Sequence, residues 1–361
     1  MLEIHENRKR YVYGAGFAGK VVAGYLNFCL DSGVEALVVS DNHKEMDMYE
    51  FPHSLEKRII PVIEYSQLPK SDEPIDFYVT LDKGKTDVIS MLNSAQCGGV
   101  IDVSPFIEEI IDEYNRFVCQ SYGISLEDEY LNFNGVKITN YLMKEKKLKK
   151  TFWETYGDEI LPSVYKDNSL SIDGPYEIET LNVNIQNGDV IFDIGANLGL
   201  FSCYAAQKGC EVYAFDPDET CLKLLREQQE RYKNLNVIPL GLSNETGKKA
   251  FYESEDCALS SMSRLAEGKL IKKEVEIDTL DHYVESTGIR KIDYIKADIE
   301  GEERNMLRGA VKVLKEMHPK LAICTYHYPE DPELLEKIIL DANPNYIINH
   351  SWRKLYAYVP E

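Results

Sequence analysis

Ten consecutive residues, Val190-Ile191-Phe192-Asp193-Ile194-Gly195-Ala196-Asn197-Leu198-Gly199, restrict the fold more than any other stretch of the chain. An apolar run of strand length ends in a carboxylate and passes at once into a glycine-spaced turn. The turn opens a largely apolar stretch of helical length, Gly199 to Gln207. A buried strand feeding a tight turn and then a helix is the first half of a crossover unit, so this half of the chain is committed to a parallel sheet with helices on its faces. Gly195 lets the chain turn sharply, and the small Ala196 leaves room for a ligand beside the backbone. The next strand ends at Phe215-Asp216-Pro217, where a carboxylate is placed to accept both hydroxyls of a ribose.

The chemistry of the turn narrows the ligand. A pyrophosphate binder presents backbone N–H groups in a G-x-G-x-x-G turn, whereas this turn reads D-x-G-A-N-x-G. The Asp193 carboxylate would repel a pyrophosphate but can receive the ammonium of an amino acid, directly or through water. A ribose carrying an amino-acid tail describes S-adenosylmethionine, with Asp193, Gly195, Asn197, Gly199 and Asp216 as its expected contacts. The plainer alternative is an α/β turn that holds no ligand.

At 361 residues the chain exceeds one ordinary core, and its pattern falls into three zones. Residues 1–105 alternate strands (Arg10 to Tyr13, Ala36 to Ser40, Ile75 to Leu81, Gly99 to Val103) with helical runs, and predict a Rossmann-like, nucleotide-binding type of α/β domain. Residues 106–165 open with Phe106, Ile107, Ile110, Ile111, Tyr114, Phe117 and Val118 at helical spacing and are expected to form a mostly helical connector. Residues 166–361, beginning near Tyr165, alternate again and close with two β-rich runs around a polar turn. That pattern predicts a parallel sheet ending in an antiparallel edge.

Composition sets the surroundings. Against 61 acidic residues there are 40 basic ones, a formal charge of -21, which repels phosphate backbones and anionic lipid and excludes nucleic acid and membranes as partners. The basic run Lys144 to Lys150 reads as a solvated helix face. Eight scattered cysteines lack any C-x-x-C pair, the opening MLEIHENRKR is not a signal peptide, and no apolar run is long enough to span a bilayer. A cytoplasmic location is the expectation. Composition leaves the oligomeric state open.

The motifs DIGANLG, FDPDE, VEIDTLDHYV and YIKADIEGEERNMLRGA, taken in order, resemble the FkbM family of S-adenosylmethionine-dependent methyltransferases over about residues 170 to 361. The block from Asp298 through Gly301 and Glu303 to Leu307 and Gly309 is the most specific part. The resemblance implies a class I methyltransferase fold, preceded here by the smaller Rossmann-like domain. It also implies O-methylation of a hydroxyl, often on a sugar or polyketide-type natural product, so the partner is a small-molecule acceptor such as a saccharide or nucleotide-sugar. Asp216 departs from the F-E-P triplet of many members, although the shorter carboxylate still spans two hydroxyls.

Methyl transfer to an unactivated alcohol needs the acceptor oxygen aligned with the sulfonium and its proton removed. Asp298 follows the strand Ile292 to Ala297, and the resemblance places it at the methyl-transfer site; a helix cap is its plainer role. His327, in Thr325-Tyr326-His327-Tyr328-Pro329-Glu330-Asp331 after the next strand, titrates near neutral pH and is the candidate base. Mg2+ on Asp298 with Glu300 or Asp331 is the hard-cation alternative, but the spacing defines no ligand set, so no metal ligand is assigned. Ser243 occupies the position where class I methyltransferases contact adenine. Tyr176, in Gly174-Pro175-Tyr176-Glu177, belongs to a segment that resembles a family motif and would close over the methionine end of the cofactor. Ser260 and Ser261 lie in a polar loop that could face the acceptor.

The front zone carries its own fingerprint. Gly14, Gly16 and Gly19 fit G-x-G-x-x-G between strand and helix, and Asp41 follows the second strand at a distance suited to ribose. This segment resembles the Rossmann-type domains of sugar-modifying bacterial enzymes, including the front domain of sialic-acid-type sugar acyltransferases. It leaves two alternatives to the methyltransferase reading, an NAD-dependent sugar-modifying oxidoreductase and a non-catalytic nucleotide-binding protein.

Overall fold

The structure is a computed structural model that describes residues 2–44, 47–51, 59–70, 73–81, 84–95, 98–127, 130–133, 135–139, 164, 174–253, 262 and 271–360. Ser260, Ser261, the lysine run 144–150 and the expected start of the third zone at Tyr165 lie outside them. The described residues group into two compact units, one ending at Leu126 and the other beginning at Glu127.

The first unit is built on β1 (Lys9–Tyr13), β2 (Ala36–Val39), β3 (Met48–Glu50), β4 (Ile59–Glu64), β5 (Ile75–Val79) and β6 (Gly99–Asp102), in the order β3-β4-β2-β1-β5-β6. All neighbours pair in parallel except β3 and β4. Consecutive residues Tyr11, Val12 and Tyr13, and likewise Phe77, Tyr78 and Val79, are buried, as a sheet covered on both faces requires. Helices α1 (Phe17–Gly24), α2 (Lys85–Ser94) and α3 (Ile107–Ser121) belong to this unit. At the carboxyl end of β1, a Cβ on Gly19 would lie 1.8 Å from the Gly14 carbonyl oxygen, so only glycine lets α1 pack that closely on the turn. Gly16 faces open space, and the Asp41 carboxylate accepts the Ser66 amide at 2.9 Å.

Among the described residues of the expected helical connector, α3 and the single residue Val164 are helical, but strands lie between them. After β7 (Ser125–Glu127), strands β8 (Tyr130–Phe133) and β9 (Val136–Thr139) pair antiparallel. The cause is a pattern of period two: Leu131, Phe133, Val136 and Ile138 are buried, two ahead of and two after the sequence pair Asn-Gly at 134–135.

The second unit carries β10 (Val190–Ile194), β11 (Glu211–Phe215), β12 (Leu235–Ile238), β13 (Gly241–Leu242), β14 (Gly247–Glu253), β15 (Ile271–Asp278), β16 (Tyr294–Ala297), β17 (Lys320–Cys324), β18 (Ile347–Ser351) and β19 (Lys354–Tyr358). The main sheet runs β12-β11-β10-β16-β17-β19-β18, with β19 antiparallel between β17 and β18. This is the class I methyltransferase arrangement that the resemblance implied, and the antiparallel edge is the expected terminal hairpin. A small sheet, β13-β15-β14, stands apart from it.

Among its described residues the unit also carries helices α4 (Leu200–Gln207), α5 (Glu219–Arg231), α6 (Leu280–Thr287), α7 (Glu303–Arg308), α8 (Val311–Glu316) and α9 (Asp331–Ala342). The Asp218 side chain caps α5 by accepting the Thr220 amide at 2.7 Å. Under the sheet, Phe192 is fully buried with its ring 5.1 Å from that of Tyr213 and 5.2 Å from that of Phe215. Each such pair adds about 0.5–1.5 kcal/mol to the burial itself. From β10 the chain winds towards β11 on one side and β16 lies on the other, so a crevice opens at the carboxyl ends of these strands, where open α/β sheets bind ligands.

Candidate active site

The turn after β10 is fastened to the tip of β11 by backbone and carboxylate together. The Gly195 and Ala196 amides both donate to the Phe215 carbonyl at 3.0 Å. Asp216 accepts the Asn197 amide at 2.8 Å and the Asp218 amide at 2.9 Å, so one carboxylate ties two strand tips. Its burial pushes the carboxyl up to about 7, against the pull of those two amides and of Lys296. Gly195, Asn197 and Gly199 all have positive φ, of 75°, 49° and 78°, which produces the tight reversal that the glycine spacing predicted.

Asp193 is used differently from the expectation. It is fully buried, receives the Ser202 hydroxyl at 2.6 Å, and lies 3.1 Å from the Lys296 ammonium. Its carboxylate is spent inside the protein rather than presented to a ligand. Lys296, from the middle of β16, is 1% exposed and also donates to the Gly195 carbonyl at 2.7 Å. The sequence reading missed this lysine. The signal was present: a lysine inside a strand buried on both faces needs a buried anion beside it.

Asp298, at the end of β16, faces the crevice with its side chain 20% exposed. It does not cap α7. Instead it receives the Tyr176 phenol at 2.9 Å and the Tyr326 phenol at 3.1 Å. Burial alone would raise its carboxyl, but Lys296, His327, Lys354 and the Tyr176 hydroxyl hold it below the ordinary value. Tyr176 is itself pinned: Lys354 lies 4.3 Å above its ring and donates to the Gly174 carbonyl, Tyr356 donates to the Pro175 carbonyl, and Tyr294 donates to that of Tyr176.

Glu300 and Glu303 complete the cluster. Glu303 is buried and accepts the amides of Ile299 at 2.8 Å and Gly301 at 3.1 Å, which shapes the loop that carries Glu300 at a φ of 53°. His327, from the loop after β17, reaches into this group with its side chain 3% exposed. Its Nε2 lies 3.5 Å from Glu300 and 3.8 Å from Asp298, and its Nδ1 lies 3.3 Å from Glu303. Burial disfavours the imidazolium, yet these carboxylates outweigh it and raise the ring to about 11. That corrects the expectation of a base titrating near neutrality: ringed by anions, His327 is already protonated at pH 7 and has no lone pair to offer a hydroxyl proton.

Ser243 is buried after β13, where its hydroxyl donates to Glu302 at 2.7 Å. The structure therefore brings Asp193, Gly195, Asn197, Asp216, Tyr176, Asp298 and His327 to neighbouring strand tips, while Ser243 serves an internal bond. The carboxylates at the tips of β11 and β16, Asp216 and Asp298, suit a ribose with a cationic tail and disfavour a pyrophosphate. Among the described residues no helix is long and apolar enough to cross a membrane.

A family model described as the methyltransferase FkbM domain matches residues 193–346. The hexuronic acid methyltransferase AglP of Haloferax volcanii is 30% identical, over 46% of this chain and 67% of that protein. The 31-O-demethyl-FK506 methyltransferase FkbM of Streptomyces tacrolimicus is 27% identical, over 35% of this chain and 61% of that protein. Among solved structures, a methyltransferase FkbM from Methylobacillus flagellatus aligns over 97% of this chain and 89% of that one, with a TM-score of 0.42 and 18% identity.

Proposed function

The chain belongs to the FkbM methyltransferase family and is an S-adenosylmethionine-dependent methyltransferase, and from that premise we propose that it methylates a hydroxyl oxygen of a saccharide, either free or carried as a nucleotide-sugar. The observation that carries this reading is the polar wall at the ends of β16 and β17. There the part-exposed carboxylates Asp298 and Glu300 stand beside the phenols of Tyr176 and Tyr326. Carboxylates and phenols hold hydroxyl hydrogens well, and the Tyr326 ring, 37% exposed, offers a flat apolar face of the kind that packs on a sugar ring. The likeness to a protein named as a hexuronic acid methyltransferase supports the same acceptor class.

Bound S-adenosylmethionine supplies an electrophilic methyl group on a sulfonium. In this reading Asp216 accepts the ribose hydroxyls, and the turn from Gly195 to Gly199 passes beneath the amino-acid tail. Asp193 and Lys296 keep that turn in place from behind. Asp298 and Glu300 meet the acceptor oxygen, orient it in line with the methyl group, and take up its proton as the carbon–oxygen bond forms and the sulfonium–methyl bond breaks.

Asp298→Asn keeps the shape and removes the charge; its one carboxamide oxygen accepts from one phenol, and its NH2 donates to the other. Methyl transfer is expected to fall by about 10²- to 10⁴-fold, with the affinity for S-adenosylmethionine unchanged. Transfer of labelled methyl groups into a panel of saccharides and nucleotide-sugars measures the first, and calorimetric titration the second. Full activity of the variant, or a panel in which no sugar is labelled, would count against the reading.

A pH dependence also follows. Ribose hydroxyls donate to an ionised carboxylate, and Asp216 sits near 7, so the binding-competent form is lost as the pH falls. Affinity for the cofactor is expected to hold steady above pH 7 and to drop by about tenfold per unit well below it. Asp216→Asn should flatten the profile. A wild-type profile already flat between pH 5.5 and 8.5 contradicts the assignment.

A further inference from the structure

The loop that carries Asp298 and Glu300 meets His327 in a way that the methyl-transfer reading leaves unused. Three donor atoms from these residues lie within 4.8 Å of one another: a carboxylate oxygen of Asp298, one of Glu300, and a ring nitrogen of His327. The imidazole is 3% exposed, and neither ring nitrogen makes a hydrogen bond. A buried imidazole without a hydrogen-bond partner is costly, because its desolvation is not repaid by a well-directed contact. Here Nε2 points between the two carboxylates at 3.5 and 3.8 Å, spacings too long for hydrogen bonds. Ligand atoms around an ion with bonds of about 2.1 Å stand roughly 3–4 Å apart, so these spacings match a shared ion better than direct pairing.

We propose that Asp298, Glu300 and His327 form a binding site for one divalent transition-metal cation, whose remaining positions take oxygen atoms of the acceptor. The proposal deepens the saccharide reading, since it rests on the acceptor entering at this wall. A second grouping, Glu303, His327 and Asp331, uses the other side of the ring. That side is already committed: Glu303 holds the Ile299 and Gly301 amides, and Asp331 holds Arg304 and the Tyr328 amide. These contacts fix the loop after β17 and leave Nε2 facing the two part-exposed crevice carboxylates, of which Asp298 also accepts the Tyr176 and Tyr326 phenols.

A bound ion takes the place of the imidazolium proton, which is released on binding, and one neutral imidazole with two carboxylates then suits Mn2+ or Zn2+ better than Ca2+, which prefers all-oxygen surroundings. Two carboxylates also balance the charge of a divalent ion. Three protein ligands leave positions for the acceptor, as sites that bind substrate through a metal require. The acceptor class narrows accordingly to compounds with two neighbouring oxygens, a vicinal diol or a hydroxy acid, which chelate one ion where a lone alcohol cannot.

The test uses the full-length protein stripped with a chelator and titrated with MnCl2, with free manganese followed by electron paramagnetic resonance. One Mn2+ per chain is expected, with nitrogen coupling to the bound ion in pulsed spectra of the wild type. Glu300→Gln and His327→Gln should each weaken binding by more than the about 10- to 100-fold that loss of an outer-shell partner costs. The cation site is overturned if the stripped wild type binds no manganese, if the bound ion shows no nitrogen coupling, or if both variants bind as the wild type does. The nitrogen coupling is read on the wild type, so misfolding of a variant leaves the decision intact. Manganese binding without methyl transfer to any saccharide would overturn the acceptor reading while leaving the cation site standing.

Discussion

Gly195→Ala is expected to cost about 3 kcal/mol of stability and to weaken S-adenosylmethionine binding by about 100-fold or more. The residue has a φ of 75°, where an L-amino acid pays about 1–2 kcal/mol. The larger cost is spatial: a Cβ there would sit 1.9 Å from the Asp298 carbonyl oxygen. Backbone cannot yield as a flexible side chain can, so the tip of β10 and the loop after β16 must separate. Those are the two walls of the crevice. Urea unfolding and calorimetric titration measure the two effects. Gly16→Ala is the control, because that glycine has a φ of -75° and nothing within 4 Å of the added atom. It should stay within about 0.5 kcal/mol of the parent. Equal behaviour of the two variants would refute the steric argument.

Lys296→Met should be nearly as damaging. The ammonium and the Asp193 carboxylate are 1% and 0% exposed and 3.1 Å apart. Removing one member of a buried pair strands the other, which costs about 3–5 kcal/mol. The same substitution removes the bond to the Gly195 carbonyl and one of the charges that keep Asp298 ionised. Loss of both stability and methyl transfer is therefore expected. The double variant Asp193→Leu/Lys296→Met discharges the pair and should regain much of the stability, since an apolar pair of similar size often replaces a buried ion pair without loss. Denaturation midpoints across the four members of the cycle test this. A double variant no more stable than Lys296→Met alone would contradict it.

What could be read from the sequence was what is encoded locally. Gly195, Asn197, Gly199 and Asp216 lie within one strand-turn-helix and the strand after it, so the glycine spacing was enough to locate the tight reversal and the carboxylate beside it. The antiparallel closing hairpin was legible because its strands are apolar around a polar turn. The β14 and β15 pair was missed because Ile271 to Glu274 is exposed and charged, so no face repeats every second residue. The β8 and β9 hairpin was overlooked although Asn134-Gly135 signals it, because the helical period of α3 dominated the zone.

The partners of single side chains needed three-dimensional contacts. Asp193 and Lys296 are far apart in sequence, and nothing near Asp193 announces a buried cation. His327 looked like an ordinary titrating histidine until the carboxylates of Asp298, Glu300 and Glu303 were seen around it. Its charge state is set by residues on another loop, which no local pattern carries.

Strand β19 lies beyond the stretch 193–346 that marks the family, and Gly174 to Tyr176 lie ahead of it. Yet Lys354 and Tyr356 of β19 clasp the Gly174 and Pro175 carbonyls, and the Tyr176 phenol bonds Asp298. The hairpin is in this way a tuning peg for the crevice. Changes in its residues reach Asp298 through a short chain of contacts, so under the proposed function two relatives identical across the shared stretch are expected to differ in the acceptors they admit.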